Sequence, residues 1–429
     1  MTTTNNALTK PEVYKSGRIQ ISSPMLHIGS EVPKLSPFEY IATDQFVYYP
    51  NAEVLARSLY QRHPSLLEDY LYTIQQRQSI LPILEQAFGE NWPQAKGANG
   101  QPIFPKTSRS LCQTDPKQIS DLRPMIRNGY SQLYIPGSSI KGAIRTAITY
   151  HLLKNANQYQ VPTQKRISAI ELQLQETMGN LKQKVKSIDN ALFMDVLFNE
   201  FGIKGDRSDV KNGSNTDFMR AVKVSDSEPL IKRKITLKNG RNRVENLPIT
   251  SEVLISSYYP DYRAKYRASI YAELVRNVQT TFTITLDLDL LGKMQHQQGM
   301  TIPFNSVADL LQICQAFAQD QWDAEHDYWQ DVQNNPQQHR HSKIPNLDFG
   351  AIRDFYEPRI CPYALRLGWG SGMNGTTVGL LLNEQLRSQL RDTCGNKAPG
   401  FEAPKSRRTV LSLDRTIKFV PGWVKLKVL

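Results

Sequence analysis

LYIPGSSIKGAIRTAITYHLL (residues 133–153) is the stretch on which the fold turns. Leu133 to Ile135 read as the end of a strand, Pro136 to Ser139 as a turn, and the rest as a helix. Ile140, Ala143, Ile144, Ala147 and Ile148 recur at i, i+3, i+4, i+7 and i+8, which gives the helix one apolar face to lay on a sheet. Gly137, Ser138 and Ser139 stand at its start, where a hydroxyl can cap the helix and free N–H groups attract an anion. Lys141 and Arg145, one turn apart, fall on the face away from the core. An ordinary capped helix with two solvated cations is the plain alternative to an anion site. The segment is not a phosphate-binding loop of the G-x-x-x-x-G-K-[ST] type, because Lys141 precedes Gly142 rather than following a second glycine. That excludes a nucleoside triphosphatase and leaves a phosphodiester backbone as the anion.

The chain has 429 residues, 52 basic and 40 acidic, for a formal charge of +12. Such a length leads us to expect two domains, and such a charge makes a polyanion the expected class of partner. Cys112, Cys314, Cys361 and Cys394 form no C-x-x-C pair, so neither a structural zinc site nor a disulfide framework is expected, and no cofactor is implied. No run of about 18 apolar residues occurs. The expectation is a cytoplasmic protein with no membrane segment.

Outward from the opening stretch, GRIQISSPMLHIG reads as a strand in which Ile19 and Ile21 alternate with Arg18 and Gln20. Residues 52–88 read as helical, 89–120 as a long surface loop, and 164–202 as polar helix. MRAVKVSDSEP should place Val222 and Val224 inward and Lys223 outward. IKRKITLKNGRNRVE predicts a hairpin turning at Asn239–Gly240, and QTTFTITLDLDLL a strand with Phe282, Ile284 and Leu286 on one face, opening the second domain. Residues 320–345 read as a polar insertion between helices, and RTVLSLDRTIKFVPGWVKLKVL as strands. The pattern is α+β, divided into 1–250 with the glycine-serine turn and 251–429 with the later glycines.

That later cluster is YALRLGWGSGMNGTTVGLLL, where Gly370, Gly372 and Gly375 have G-x-G-x-x-G spacing. The dinucleotide reading fails because no alternating strand-helix series follows Gly375. A turn whose missing side chains admit an RNA backbone or base fits better, with Arg366, Trp369 and Asn374 beside it; a tight structural turn is the alternative. Among seven histidines, His27 in PMLHIGS alone lies beside a glycine turn at a strand end, the place for a general base, although no second acid or nucleophile is tied to it. His339 and His341, with Glu325 and His326 upstream, match no metal spacing and read as solvated loop residues, so no metal is expected. Lys223, Lys232, Arg233, Lys234, Arg241, Arg243, Lys405, Arg407 and Arg408 are scattered cations, and Tyr258, Tyr259, Tyr262 and Tyr266 interleave with Arg263, Lys265 and Arg267. Charge and stacking groups together are what single-stranded RNA requires.

PMLHIGS, YIPGSSIKGAIRTAI, FMRAVKVSDSEP, LRLGWGSG and PKSRRTVL…PGWVKL, in that order, resemble the RAMP superfamily of CRISPR proteins, and within it the fifth-subunit family of the type III-A Csm effector complex. The resemblance implies two ferredoxin-like, RRM-like RAMP domains with loop insertions. It implies a subunit at the 3′ end of the CRISPR RNA in antiviral defence, beside the backbone RAMP subunit and the small helical subunit, meeting target RNA when that is bound. It further implies a part in guide maturation through host ribonucleases and no catalysis of its own. Residues expected at RNA are Gly137, Ser138, Ser139, Lys141, Gly142 and Arg145 in the first motif, and Arg366, Gly368, Trp369, Gly370 and Gly372 in the second, with Lys223, Arg407 and Arg408 among the cations. Residues 320–345, with Trp322, Tyr328 and Trp329, are expected to furnish an altered end surface. The alternative is a metal-independent endoribonuclease of RAMP type with His27 as general base.

Overall fold

The computed structural model describes residues 13–178, 196–203, 214–236, 240, 242–336, 346–393 and 404–429. Its backbone is one strand, β11 (Ala264–Asp287), long enough to carry neighbours along both edges. β1 (Tyr14–Leu26) runs antiparallel along its second half, pairing Ile19 with Phe282 and Leu26 with Val275. The alternation read from the sequence holds: Ile19, Ile21, Ile284 and Leu286 are fully buried and Phe282 nearly so.

Short strands follow β1 in the chain: β2 (Ile41–Ala42), β3 (Phe46–Tyr48), β4 (Arg109–Cys112), β5 (Leu122–Arg123), β6 (Phe201–Ile203) and β7 (Val222–Val224). β8 (Arg233–Thr236) and β9 (Asn242–Glu245) make the expected hairpin; Gly240 has φ +76° and Asn239 lies outside the described residues. β10 (Leu247–Tyr258) folds back along the first half of β11, and residue 250 falls inside it. β12 (Met294–His296) pairs β6, and the chain ends in β13 (Leu365–Arg366), β14 (Arg407–Leu411), β15 (Ile417–Phe419) and β16 (Trp423–Val428). The main path is β13-β16-β1-β11-β10-β4-β3-β2, and with β5, β7, β14 and β15 attached it is a 12-stranded sheet. It is mixed: β4 on β10 and β5 on β11 are parallel, the other pairings antiparallel. The α+β reading is met, with strands from both sides of residue 250 in the same sheet.

Helices α1 (Ala52–Arg62), α2 (Pro64–Gln75) and α3 (Leu81–Phe88) fill the predicted helical stretch and close over their own core of Leu55, Leu59, Leu84, Trp92 and Phe104. α4 (Gly137–Lys154) is the helix of the opening motif, and Ile140, Ile144, Ala147 and Ile148 are fully buried. Leu133–Ile135 form no strand; their carbonyls accept from Leu230 and Ser227 instead. α5 (Ile167–Thr177) covers part of the predicted polar helix, and residues 179–195 lie outside the described residues.

The expected polar insertion begins inside a helix. Residues 307–331 are one helix, α6 (Val307–Asp331), started by a capping box between Ser306 and Asp309. Trp322, Tyr328 and Trp329 are 1%, 3% and 1% exposed and form a second core with Tyr356, Tyr363 and Trp423. The three aromatic residues expected at an end surface are therefore interior, and Gln321 and Glu325 of the same helix are buried with them. Residues 337–345, including His339 and His341, lie outside the described residues. Among the described residues no helix is long and apolar enough to cross a membrane, and no group of three or more His, Cys, Asp or Glu could hold a metal ion.

Candidate nucleic-acid interface

β1 ends at Leu26, and the next residue, His27, is pinned from two sides. Its Nδ1 donates to the Glu273 carbonyl at 2.6 Å, and its own carbonyl accepts from the Trp369 amide at 3.2 Å. The second bond brings the late glycine segment against the end of β1. Leu367 donates to Gly422 and Gly422 to Met25, so residues 367–372 are clipped between β1 and the turn before β16. Glycine is required where the clip is tightest. Gly368 has φ +76°, and a β-carbon there would lie 2.1 Å from the His27 carbonyl; one on Gly370 would lie 2.6 Å from Pro421 Cγ.

The clip presents Trp369 half-buried. The Arg408 guanidinium sits 4.5 Å and that of Arg123 5.1 Å from its ring centre, and His27 meets it edge-on at 5.5 Å. Arg408 Nη1 also donates to the Trp369 carbonyl at 3.1 Å. Both arginines are placed by strand pairing: Arg123 by parallel register with Ala272, Arg408 opposite Ile255. Burial, then Arg123 and Arg366, hold the Arg408 guanidinium below its ordinary value. Arg123 and Arg408 each keep a buried Nε without a hydrogen-bond partner, and neither forms an ion pair among the described residues. Two uncompensated guanidiniums against one aromatic ring can take an anion and a planar group together.

His27 is 2% exposed, and burial pulls its pKa below 6.5. Its acceptor partner fixes the proton on Nδ1 of a neutral ring. Glu273, whose backbone it holds, is itself buried in a pair with Arg127 at 2.5 Å.

α4 packs against α7 (Gly372–Thr376) and β13, so the two glycine motifs become neighbours. The helix start differs from expectation. Pro136 is the N-cap and Gly137 to Ser139 are the first turn, without a side-chain cap. The Gly137 amide already donates to Asp226 Oδ1 at 2.7 Å, and its missing side chain lets the Val224 carbonyl within 2.4 Å of a β-carbon. Ser138 is exposed and Ser139 half-buried. Arg145 does not lie free on the outer face: it pairs with Asp217 at 2.6 Å and lies over Phe198 at 3.8 Å. Lys141 is half-buried, with its pKa lowered by burial, and Gly142 has open space around it.

Arg366 and Arg407 are both 5% exposed and share buried Glu325, at 3.4 and 2.9 Å from its Oε1. Glu325 is thus a core counter-charge and not a solvated loop residue. Lys223 is exposed as expected but sits over Tyr14, at the opposite end of β1 from His27. Arg123 went unread because SDLRPMIRNG carries no motif; only its pairing with β11 brings it to Trp369.

A family model described as the RAMP superfamily matches residues 18–344. No curated protein matches. Among solved structures, Csm5 of T. onnurineus is similar with a TM-score of 0.55 and 19% identity, over 96% of this chain and 100% of that one. A chain of the cryo-EM structure of a Csm–crRNA–target RNA ternary complex in the type III-A CRISPR–Cas system is similar with a TM-score of 0.53 and 19% identity, over the same shares.

Proposed function

Because the chain belongs to the RAMP superfamily, we propose that it is a non-catalytic, RNA-binding subunit of a type III-A Csm-like complex, holding the 3′ part of a CRISPR RNA across Trp369. The observation that carries this reading is the pair of guanidiniums, Arg123 and Arg408, against Trp369, with no ion pair to either among the described residues. Phosphates go to the arginines, and a base stacks against the arginine–tryptophan cluster. Gly368 and Gly370 keep the loop low enough for the strand to lie on it, and Lys141, near the start of α4, extends the cationic surface.

The similarity to a chain of a Csm–crRNA–target RNA complex supports crRNA, target RNA and other Csm subunits as partners. In this reading those subunits are the backbone RAMP subunit and the small helical subunit, the complex is cytoplasmic, and host ribonucleases trim the guide. The sheet is read as two ferredoxin-like units divided near residue 250. A head-to-tail row of RAMP subunits needs an end piece, and this chain supplies it. With Trp322, Tyr328 and Trp329 in the core, those three side chains do not form its outer surface.

The endoribonuclease alternative asks His27 to act as a base. A ring that is buried, neutral, bonded through Nδ1 to a carbonyl and edge-on to Trp369 favours a structural histidine.

The test is RNA affinity measured across a salt series. Trp369→Ala should weaken binding, and Arg123→Ala and Arg408→Ala should each lower the log–log salt slope by about one. Unchanged slopes would place the RNA elsewhere. Labelled repeat RNA incubated without metal should stay intact; cleavage by the wild type that His27→Asn abolishes would establish the enzyme instead. Complexes assembled without the subunit should lose defined guide 3′ ends, read by guide-length analysis and native mass spectrometry.

A further inference from the structure

The turn between β10 and β11 carries Tyr258, Tyr259 and Tyr262, which the Trp369 site does not use. Tyr258 is 4% exposed and rests on Tyr328 in the second core. Tyr262 stacks on it in parallel, ring centres 5.6 Å apart at 13°, and keeps 47% of its surface exposed; Tyr259 beside it keeps 38%. The stack thus has a fixed base and an open outer face.

Its backbone is held in a costly shape. Tyr262 has φ +63°, a region that costs a side-chain-bearing residue about 1–2 kcal/mol. The turn is fixed by Tyr262 N–H to the Tyr259 carbonyl at 2.9 Å and by Gln333 N–H to the Tyr262 carbonyl at 2.9 Å. Strain that surrounding bonds enforce on a half-exposed aromatic residue is a mark of function.

Cations crowd the same place. Lys265 Nζ lies 4.8 Å from the Tyr259 ring centre and Lys405 Nζ 5.2 Å from that of Tyr258. Burial, then Lys265, Arg267 and Arg391, push the Lys405 ammonium down to about 8. Asp261 of the turn pairs with Arg263, and Asp392 pairs with Arg391. Lys265 and Arg267 form no ion pair among the described residues. Three residues of β10 separate Tyr258 from the register of Arg408, roughly 10 Å along the strand.

We infer that the Tyr259–Tyr262 turn is a second RNA subsite, stacking a base of a single strand on Tyr262 while Lys265 and Arg267 take its phosphates. The inference rests on the RNA-binding reading of the Trp369 site and places a further nucleotide beyond it. Stacking platforms flanked by cations bind every base, so this subsite adds affinity without sequence preference.

The experiment compares the full chain with Tyr262→Gly, Tyr262→Phe and Trp369→Ala, using an oligouridine RNA and an abasic oligomer with the same phosphates. Tyr262→Gly removes the ring and accepts φ +63°, so its unfolding midpoint should not fall. It should weaken oligouridine binding roughly 5- to 150-fold, the range of one lost stacking contact, and leave the abasic oligomer unchanged. Tyr262→Phe should bind like wild type. If wild type binds RNA, Trp369→Ala weakens it and Tyr262→Gly does not, the second subsite is overturned and the first stands. If Tyr262→Gly weakens both oligomers equally, the turn contributes no stacking and the proposal fails. If the wild type binds neither oligomer, the underlying reading falls.

Discussion

Gly368 lies so close to His27 that a β-carbon on it would stand 2.1 Å from the His27 carbonyl oxygen, the same oxygen that accepts from the Trp369 amide. The end of β1 and the late glycine loop are therefore one unit, although residues 27 and 368 are at opposite ends of the sequence. Gly372, with φ +66°, has nothing within 4 Å. Gly372→Ala should cost about 1–2 kcal/mol, the price of the left-handed backbone alone. Gly368→Ala should cost clearly more, because β1 must also yield, and should weaken RNA binding through Trp369. Urea unfolding of the two variants checks this; equal midpoints would mean the contact carries no energy.

Arg145 and Lys141 should separate. Arg145→Glu sets a carboxylate beside Asp217 and over Phe198, and should lose about 2 kcal/mol or more of stability. Lys141→Gln should change stability by less than about 0.5 kcal/mol, and lower the salt slope of RNA binding by about one. Melting curves and a salt titration on the same samples distinguish them.

Gly142 is inside α4 with open space at the position of a β-carbon. Gly142→Ala should raise stability by about 0.5–1 kcal/mol. If the backbone there touches RNA, affinity should fall in the same variant, so the two measurements move in opposite directions.

Glu325→Gln keeps the shape of the second core and removes the negative charge that Arg366 and Arg407 share. The loss should be about 3–5 kcal/mol, as for breaking a buried pair. A second change, Arg366→Met, should recover part of it, read as a non-additive double-mutant cycle in urea.

His27, His151 and His296 all have pKa values below 6.5, with burial the largest cause in each. The unfolded chain takes up these protons near 6.5 while the folded chain still refuses them, so stability is full above that value and is lost as pH falls through it. The midpoint of unfolding should drop between about pH 7.5 and pH 5.5. His27→Asn, which can still donate to the Glu273 carbonyl, should show a shallower drop; an equal one would mean His27 does not titrate between the two states.

Where a signal is local, the sequence is a good guide to this fold. Period-two alternation located β1 and the end of β11, and the i, i+3, i+4 pattern located α4, because each is a stretch with one wet face and one dry face. α6 defeated the same reasoning. It buries Trp322 and Trp329 on one side and neutralises Glu325 with arginines some 40 and 80 positions later, so along the chain it looks like polar text. β5 is two residues long and carries no period, yet it delivers Arg123. The glycines were found but not all their reasons: Gly137 admits the Val224 carbonyl and Gly368 that of His27, approaches between segments far apart in sequence.

Among the described residues β1 pairs with β11 along one edge and with β16 along the other, and β16 lies far later in the chain. During synthesis β1 is made first and must wait for both. Its second edge stays open until residues 423–428 are made, and Arg408 and the Gly422 clip arrive only shortly before them. A nascent chain that has not reached those residues therefore holds Arg123 but an incomplete Trp369 cluster.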